Sequence, residues 1–213
     1  PIVSIAGEHE DGYDPDFCIY NDVVVHDPDG TMRIYGYPEA VFPPTDFHTA
    51  TLCGDAIVIV GSLGYPGTRR YGETPVHRLD VRSWRIERVD IRGTAPGWIS
   101  RHRAELVAPG RIRISGGQIQ HGPADGMAPN DAVWTLDLDR RRWGEEAAGP
   151  GGQGSCGRQG AAAKEGAAPN QERACRGADR RIERSPAQGA SRDAGRRWRA
   201  IARQYGHVRP SRL

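Results

Sequence analysis

Three segments of this chain close a β-branched run on a pair of small residues: 2–7 (IVSIAG), 57–62 (IVIVGS) and 111–117 (RIRISGG). Their last residues lie 55 positions apart both times. A repeat of this length constrains the fold more than any single motif does. Each unit must be one supersecondary structure that buries its apolar surface against its neighbours. After each small pair comes a polar stretch rich in Gly and Pro, and then a second strand-like run ending on aspartate. These runs are VVVHD to Asp27, VHRLD to Asp80 and VWTLD to Asp137. Asp27 and Asp137 stand 20 positions past the pair and Asp80 stands 18 past it. A tryptophan follows the second and third aspartates, at Trp84 and Trp143, and His48 and His102 open the matched segments HTATL and HRAEL, 54 apart.

The runs are four to seven residues long and are separated by turn punctuation such as Pro28-Asp29-Gly30. That pattern specifies strands joined by tight turns. No segment before residue 149 shows apolar residues at i, i+3, i+4 and i+7 over several turns, so the first two thirds are predicted all-β, with four short strands per repeat. The small pairs Ala6-Gly7, Gly61-Ser62 and Gly116-Gly117 place little or no side chain at a strand end, where backbone bends or neighbouring repeats approach closely.

A hydrophobic run into Gly-Gly, a variable loop, a second strand and a Trp some residues later resembles the kelch motif. The resemblance covers nearly all of residues 1–148. It implies four-stranded antiparallel blades near 1–36, 48–92 and 102–146, an incomplete β-propeller of about three blades, with the repeated Trp filling space between them. Gly7, Gly61, Gly116, Gly117, Asp27, Asp80, Asp137, Trp84, Trp143, His48 and His102 would then serve the repeat itself. The sequence departs from the pattern at two of the three small pairs, and the first repeat has residues 30–34 where a Trp would stand. Three blades fall short of the usual four to eight, so the chain reads as a fragment, a partial ring or one part of an oligomeric ring.

Charge divides the chain in two. Residues 1–148 carry 15 Arg and 22 Asp plus Glu, a net −7, whereas residues 149–213 carry 14 Lys plus Arg and 5 Asp plus Glu, a net +9. The second part has only Ile182, Ile201, Val208 and Leu213 as aliphatic residues larger than Ala, too few to offset the entropy of ordering it. Residues 149–213 are therefore expected to be a disordered basic tail, or text outside the natural reading frame, with a short helix at 190–205 as one option. The chain has 28 Arg against the single Lys164, which fits high-GC coding and a bacterial source. Charge without stacking partners beyond Trp198 and Tyr205 offers nucleic acid only weak, salt-sensitive contact. No apolar run reaches the length of a membrane span. Cys18, Cys53, Cys156 and Cys175 form no CxxC pair, which indicates neither a zinc site nor a disulfide framework and leaves the compartment open, with the cytoplasm as the default.

Binding residues are expected on the loops that follow the small pair of each repeat and on the connections between repeats, which should emerge on one face. Those segments are 8–17, 63–74 and 118–129, with 37–47 and 93–100. The candidates are Tyr13, Tyr37, Tyr65, Arg69, Tyr71, Trp98 and Arg101, either as a recognition surface of rings and charges or as rings packing the loops together. Glu8, His9, Glu10 and Asp11 form the densest polar cluster. Carboxylates so spaced suit a Ca²⁺ ion, but the EF-hand order is not met, and a solvated acidic loop is the plainer reading. No catalytic fingerprint occurs and no cofactor is expected. The preferred function is a non-catalytic module recognising a protein or glycan. The alternatives are a fragment of a galactose-oxidase-like or other kelch-fold enzyme, which would need a Tyr–Cys crosslink not assignable to Cys18 and Tyr20, and a truncated product with no function of its own.

Overall fold

A computed structural model describes residues 1–11, 14–146 and 199–202, with residues 10, 11, 14–16 and 199–202 described by their backbone alone. The described residues contain no α-helix and form four open sheets. The second sheet joins β4 (Thr49–Cys53), β5 (Ala56–Val60), β6 (Val76–Asp80) and β7 (Ile86–Arg88) in that order. The third joins β9 (Arg103–Ala108), β10 (Arg111–Ser115), β13 (Val133–Asp137) and β14 (Arg142–Glu146). Both are antiparallel meanders, since each strand pairs with the one before it in the repeat. The first sheet holds β1 (Ile2–Asp11), β2 (Asp14–His26) and β3 (Met32–Gly36), with β15 (Arg199–Ala202) on its free edge.

The edge of β1 explains a departure in the tail. In the second and third sheets the strand corresponding to β1 has an antiparallel neighbour, β4 or β9; at β1 that place is taken by β15, which pairs parallel from Ile2↔Arg199 to Ile5↔Ala202. An unpaired edge is a row of free amides and carbonyls that accepts any extended segment. Residues 199–202 are therefore a strand rather than part of a helix or a disordered tail, and the rest of the tail lies outside the described residues.

Two loops of the sequence reading are also strands in part. Residues 8–11 continue β1 and pair with β2 through Glu8↔Ile19, His9↔Cys18 and Asp11↔Asp14, so the acidic segment is a paired hairpin and not an open loop. A fourth sheet joins β8 (Trp98–Ser100), β11 (Gln118–Gln120) and β12 (Ala128–Pro129), within segments expected to be loops. Runs of two or three residues carry too little alternation to register as strands; pairing partners far along the chain made them so.

Two apolar clusters hold the sheets together. Val3, Ile5, Val23 and Val25 of the first sheet pack with Ile57, Ile59, Leu79 and Ile86 of the second. Val58, Val60 and Val76 of the second pack with Ile112, Ile114, Trp134, Leu136 and Trp143 of the third. Successive residues of a strand point to opposite faces, so β5 (AIVIV) is buried throughout because it serves both clusters, whereas β10 (RIRIS) buries only its isoleucines. The first strands of successive sheets lie side by side, β15 beside β4 and β4 beside β9.

The two repeat tryptophans are both buried, but they are not equivalent. Trp143 pairs with Leu136 as Ile86 pairs with Leu79, so Trp143 matches Ile86. Trp84 instead occupies the turn before β7, at φ 57°, where the third repeat has Arg141 at φ 48°. A non-Gly residue there costs roughly 1–3 kcal/mol, offset at Trp84 by a stack on Tyr35 of β3 (5.3 Å between centroids, 22° between planes) and by the Tyr37 hydroxyl donating to its carbonyl at 2.8 Å. The aspartates that end the second strands cap these turns. Asp80 Oδ1 accepts from the Arg82 and Ser83 amides at 3.0 and 2.8 Å, and Asp137 Oδ1 accepts from the Arg140 amide at 2.9 Å. Those amides, Ser83 foremost for Asp80 and Arg140 for Asp137, hold both carboxyls below the usual range.

Candidate functional site

Strand direction gathers the long loops at one end. β5 and β10 run toward Gly61 and Gly116, and the β1–β2 hairpin extends past Gly7. The connections into β4 and β9 arrive at the same end, since Thr49 pairs with Val60 and Arg103 with Ser115. The tight turns that begin at Asp27, Asp80 and Asp137 occupy the opposite end.

Backbone bonds repeat at the loop end. The Gly7 amide donates to the Thr45 carbonyl at 2.8 Å and the Ser62 amide to the Ile99 carbonyl at 3.2 Å, the same contact one repeat later. A Cβ on Gly61 would fall 2.5 Å from the Ile99 carbonyl oxygen and 2.7 Å from the His102 ring, which is why this position has no side chain. Phe47 and Arg101, one residue before His48 and His102, both adopt positive φ (45° and 58°), and the Arg101 amide donates to the Phe47 carbonyl at 2.8 Å.

Side chains then stitch the loops across repeats. Asp46, buried, accepts the Gly64 amide at 2.6 Å through Oδ1, and Trp98 Nε1 donates to the Leu63 carbonyl at 2.9 Å. Arg69 donates to Gln120 Oε1 and, at 3.1 Å, to the Gly64 carbonyl. The Ile19 amide donates to the Tyr65 hydroxyl at 2.9 Å, and Phe17 meets the Tyr65 ring edge-on at 6.1 Å. Arg101 lies 3.5 Å over the Phe47 ring. Beneath this layer, Asp46 Oδ2, Ser62 Oγ, Ser100 Oγ and Arg69 Nε are buried without a hydrogen-bond partner. Burial pushes the Asp46 carboxyl up, against the opposing pull of the Gly64 amide and Arg69.

The predicted residues thus separate by role. Tyr65, Arg69 and Trp98 come together as cross-links of the loop layer, and Arg101 lies on its exposed rim beside Phe47. Tyr71 is half-buried in the same 63–74 loop. Tyr37 stands apart, between the first two sheets, where burial first, then Tyr35 and Asp22, push its phenol upward. Tyr13 lies outside the described residues. Phe17, 44% exposed beside Tyr65, escaped the sequence reading because it sits inside an acidic segment with no pattern to single it out.

Glu8 and His9 are strand residues, as are the backbones of Glu10 and Asp11. Among the described residues, no three His, Cys, Asp or Glu side chains form a group able to hold a metal ion. His48 and His102 are buried, with His102 Nε2 at 2.9 Å from Thr49 Oγ1 of β4, and His77 stacks edge-on against Phe42. Burial drives all three imidazoles down, His48 to about 3 and His77 and His102 to about 4; His102 and His77 lower His48 further, and Arg88 lowers His77. Neutral buried histidines of this kind are packing groups at ordinary pH, His102 with one hydrogen bond and His48 with neither ring nitrogen paired. No protein-family model matches the chain, and no curated protein matches it either.

Proposed function

We propose that the three four-stranded sheets are consecutive blades of a kelch-type β-propeller and that the loop end is a recognition surface for a protein or glycan. The observation that carries this reading is the cross-linked loop layer. Loops from three successive repeats are bonded to one another through Asp46, Tyr65, Arg69, Trp98 and Gln120, which fixes the exposed rim around them. A rigid layer holding rings and guanidinium groups at its rim loses little entropy on binding, which is what a recognition surface needs. The side-by-side first strands support the propeller part, because blades in such a ring meet along their first strands.

Phe17, Tyr71 and Arg101 are the residues expected to touch ligand, since they keep exposed surface while their neighbours hold the layer. The test is a glycan and peptide array probed with the full chain, followed by titration of any hit with single alanine variants. Each of the three should weaken binding about tenfold or more, the range of interface hot spots, with the circular dichroism spectrum unchanged. A hit indifferent to all three, or one lost on changing the opposite end, as with Arg82→Ala, rules out the loop end as the recognition surface.

A further inference from the structure

Buried polar atoms nearly always have a hydrogen-bond partner, so a group of them without one marks a place where a further polar group is held. Three such atoms meet around Gly64. Asp46 Oδ1 accepts the Gly64 amide at 2.6 Å, Arg69 Nη2 donates to the Gly64 carbonyl at 3.1 Å, and Ser62 Oγ lies 3.3 Å from where a Cβ on Gly64 would stand. The other polar atom of each charged side chain, Asp46 Oδ2 and Arg69 Nε, is buried with no partner among the described residues, and so is Ser62 Oγ. Asp46 is 1% exposed and Ser62 4%.

Turning Asp46 Oδ2 toward Arg69 Nε would break bonds already made, because Asp46 is anchored by the Gly64 amide and Arg69 by Gln120 and the Gly64 carbonyl. Three buried polar atoms left unpaired would offset a large share of the stability of a domain of this size. Their chemistry selects what pairs with them. The carboxylate oxygen only accepts, Nε–H only donates, and the serine hydroxyl does either. A cation at this point would face the Arg69 guanidinium, and an anion would face the Asp46 carboxylate. A single hydroxyl oxygen serves all three: its proton goes to Oδ2, and its lone pairs take protons from Nε and from Ser62 Oγ. Such a donor would also counter the burial that pushes the Asp46 carboxyl up.

We propose that Asp46, Ser62 and Arg69 form a binding site for one neutral hydroxyl oxygen beneath the loop layer, supplied by a water molecule or by a polyol such as a sugar. The Trp98 ring flanks the site, with Cζ2 3.7 Å from the same Cβ position, and its Nε1 ties it to the Leu63 carbonyl. Because the three atoms are buried, a polyol reaches them only by displacing part of the 63–74 loop. The site needs neither the propeller reading nor a ligand at the exposed rim, so an array without a hit leaves it standing.

The first readout is the sign of a stability change. Ser62→Ala in the full chain should lower the urea midpoint, because it removes a bond to the shared oxygen; deleting a buried hydroxyl that bonds to nothing would raise the midpoint instead. The second readout locates the oxygen. In solution NMR of the full chain, the Gly64 amide should show a cross-relaxation peak to water with the sign of a long-lived contact. That peak should persist in Ser62→Ala, which shows that the serine hydroxyl does not relay it. Glycerol is the polyol probe. A peak from its carbon-bound protons that replaces the water peak at Gly64 identifies a polyol hydroxyl as an occupant, and a water peak unchanged by glycerol identifies water; either result fits the proposal. A midpoint that does not fall in Ser62→Ala, or a Gly64 amide with neither peak, overturns it.

Discussion

β5 and β10 occupy the same place in their repeats, yet one reads AIVIV and the other RIRIS. The second sheet lies between two others, so every side chain of β5 meets apolar neighbours: Ile57 and Ile59 toward the first sheet, Val58 and Val60 toward the third. Among the described residues the third sheet has a neighbour on one side only, and the strand alternates accordingly, with Arg111 and Arg113 pairing with Asp137 and Glu146 on the other side. The contrast shows that a strand in this chain is as apolar as the number of sheets it touches. The first sheet is the exception, with Ile2, Met32 and Ile34 exposed.

The largest way to break the middle of the stack is acid. His48, His77 and His102 have folded-state pKa values below the ordinary one, so the folded protein binds fewer protons than the unfolded chain between about pH 6.5 and their own values of about 3 to 4. The stability they permit is present above about pH 6.5 and is lost as pH falls toward 4, at roughly 1 kcal/mol per pH unit for each imidazole. Urea midpoints measured from pH 7 to 4.5 should drop steeply, and a flat profile would contradict burial of the three rings. Asp80 and Asp137, held low by turn amides, add a smaller loss only below about pH 4, as they take up protons.

The comparison of the strands can be made directly. Ile59→Ala in β5 should cost about 2–5 kcal/mol, because it opens a cavity between two sheets, whereas Arg113→Ala in β10 should stay within about 0.5 kcal/mol, because its partner Glu146 is exposed. Equal effects in urea unfolding would mean that the two faces of the second sheet are not both packed.

The smallest contrast concerns one backbone position seen three times. Ala6, Gly61 and Gly116 have φ of 47°, 77° and 62°, so the conformation repeats and only the surroundings differ. A Cβ on Gly116 meets nothing within 4 Å, and Gly116→Ala should cost about 1–2 kcal/mol from backbone conformation alone. Gly61→Ala should cost clearly more, because its Cβ collides with the Ile99 carbonyl and His102. Indistinguishable unfolding midpoints for the two variants would refute the close approach of the second and third repeats at Gly61.

Much of the architecture was legible before any coordinates. Alternation in RIRIS, the small pairs 55 residues apart and the aspartates that cap turns are all local, so the strands and their repeat follow from the sequence. The loop end was legible only as a region. Tyr65, Arg69 and Trp98 look like surface groups in a polar loop, yet each has a polar atom bonded to a neighbouring loop, a contact between residues 35 to 51 positions apart for Trp98, Tyr65 and Arg69. Tyr37 and Trp84 looked like a binding ring and a repeat marker, and packing made them partners between two sheets.

The sequence by itself determined where the chain extends and turns, because period-two alternation, Gly and Asp act within a few residues. Only the tertiary structure decided which strand edges pair, which tryptophan matches which position and which loop side chains are spent on cross-links. Those outcomes depend on which segments stack, and a short strand such as β8 or β15 gains its hydrogen bonds only when a distant edge is already in place.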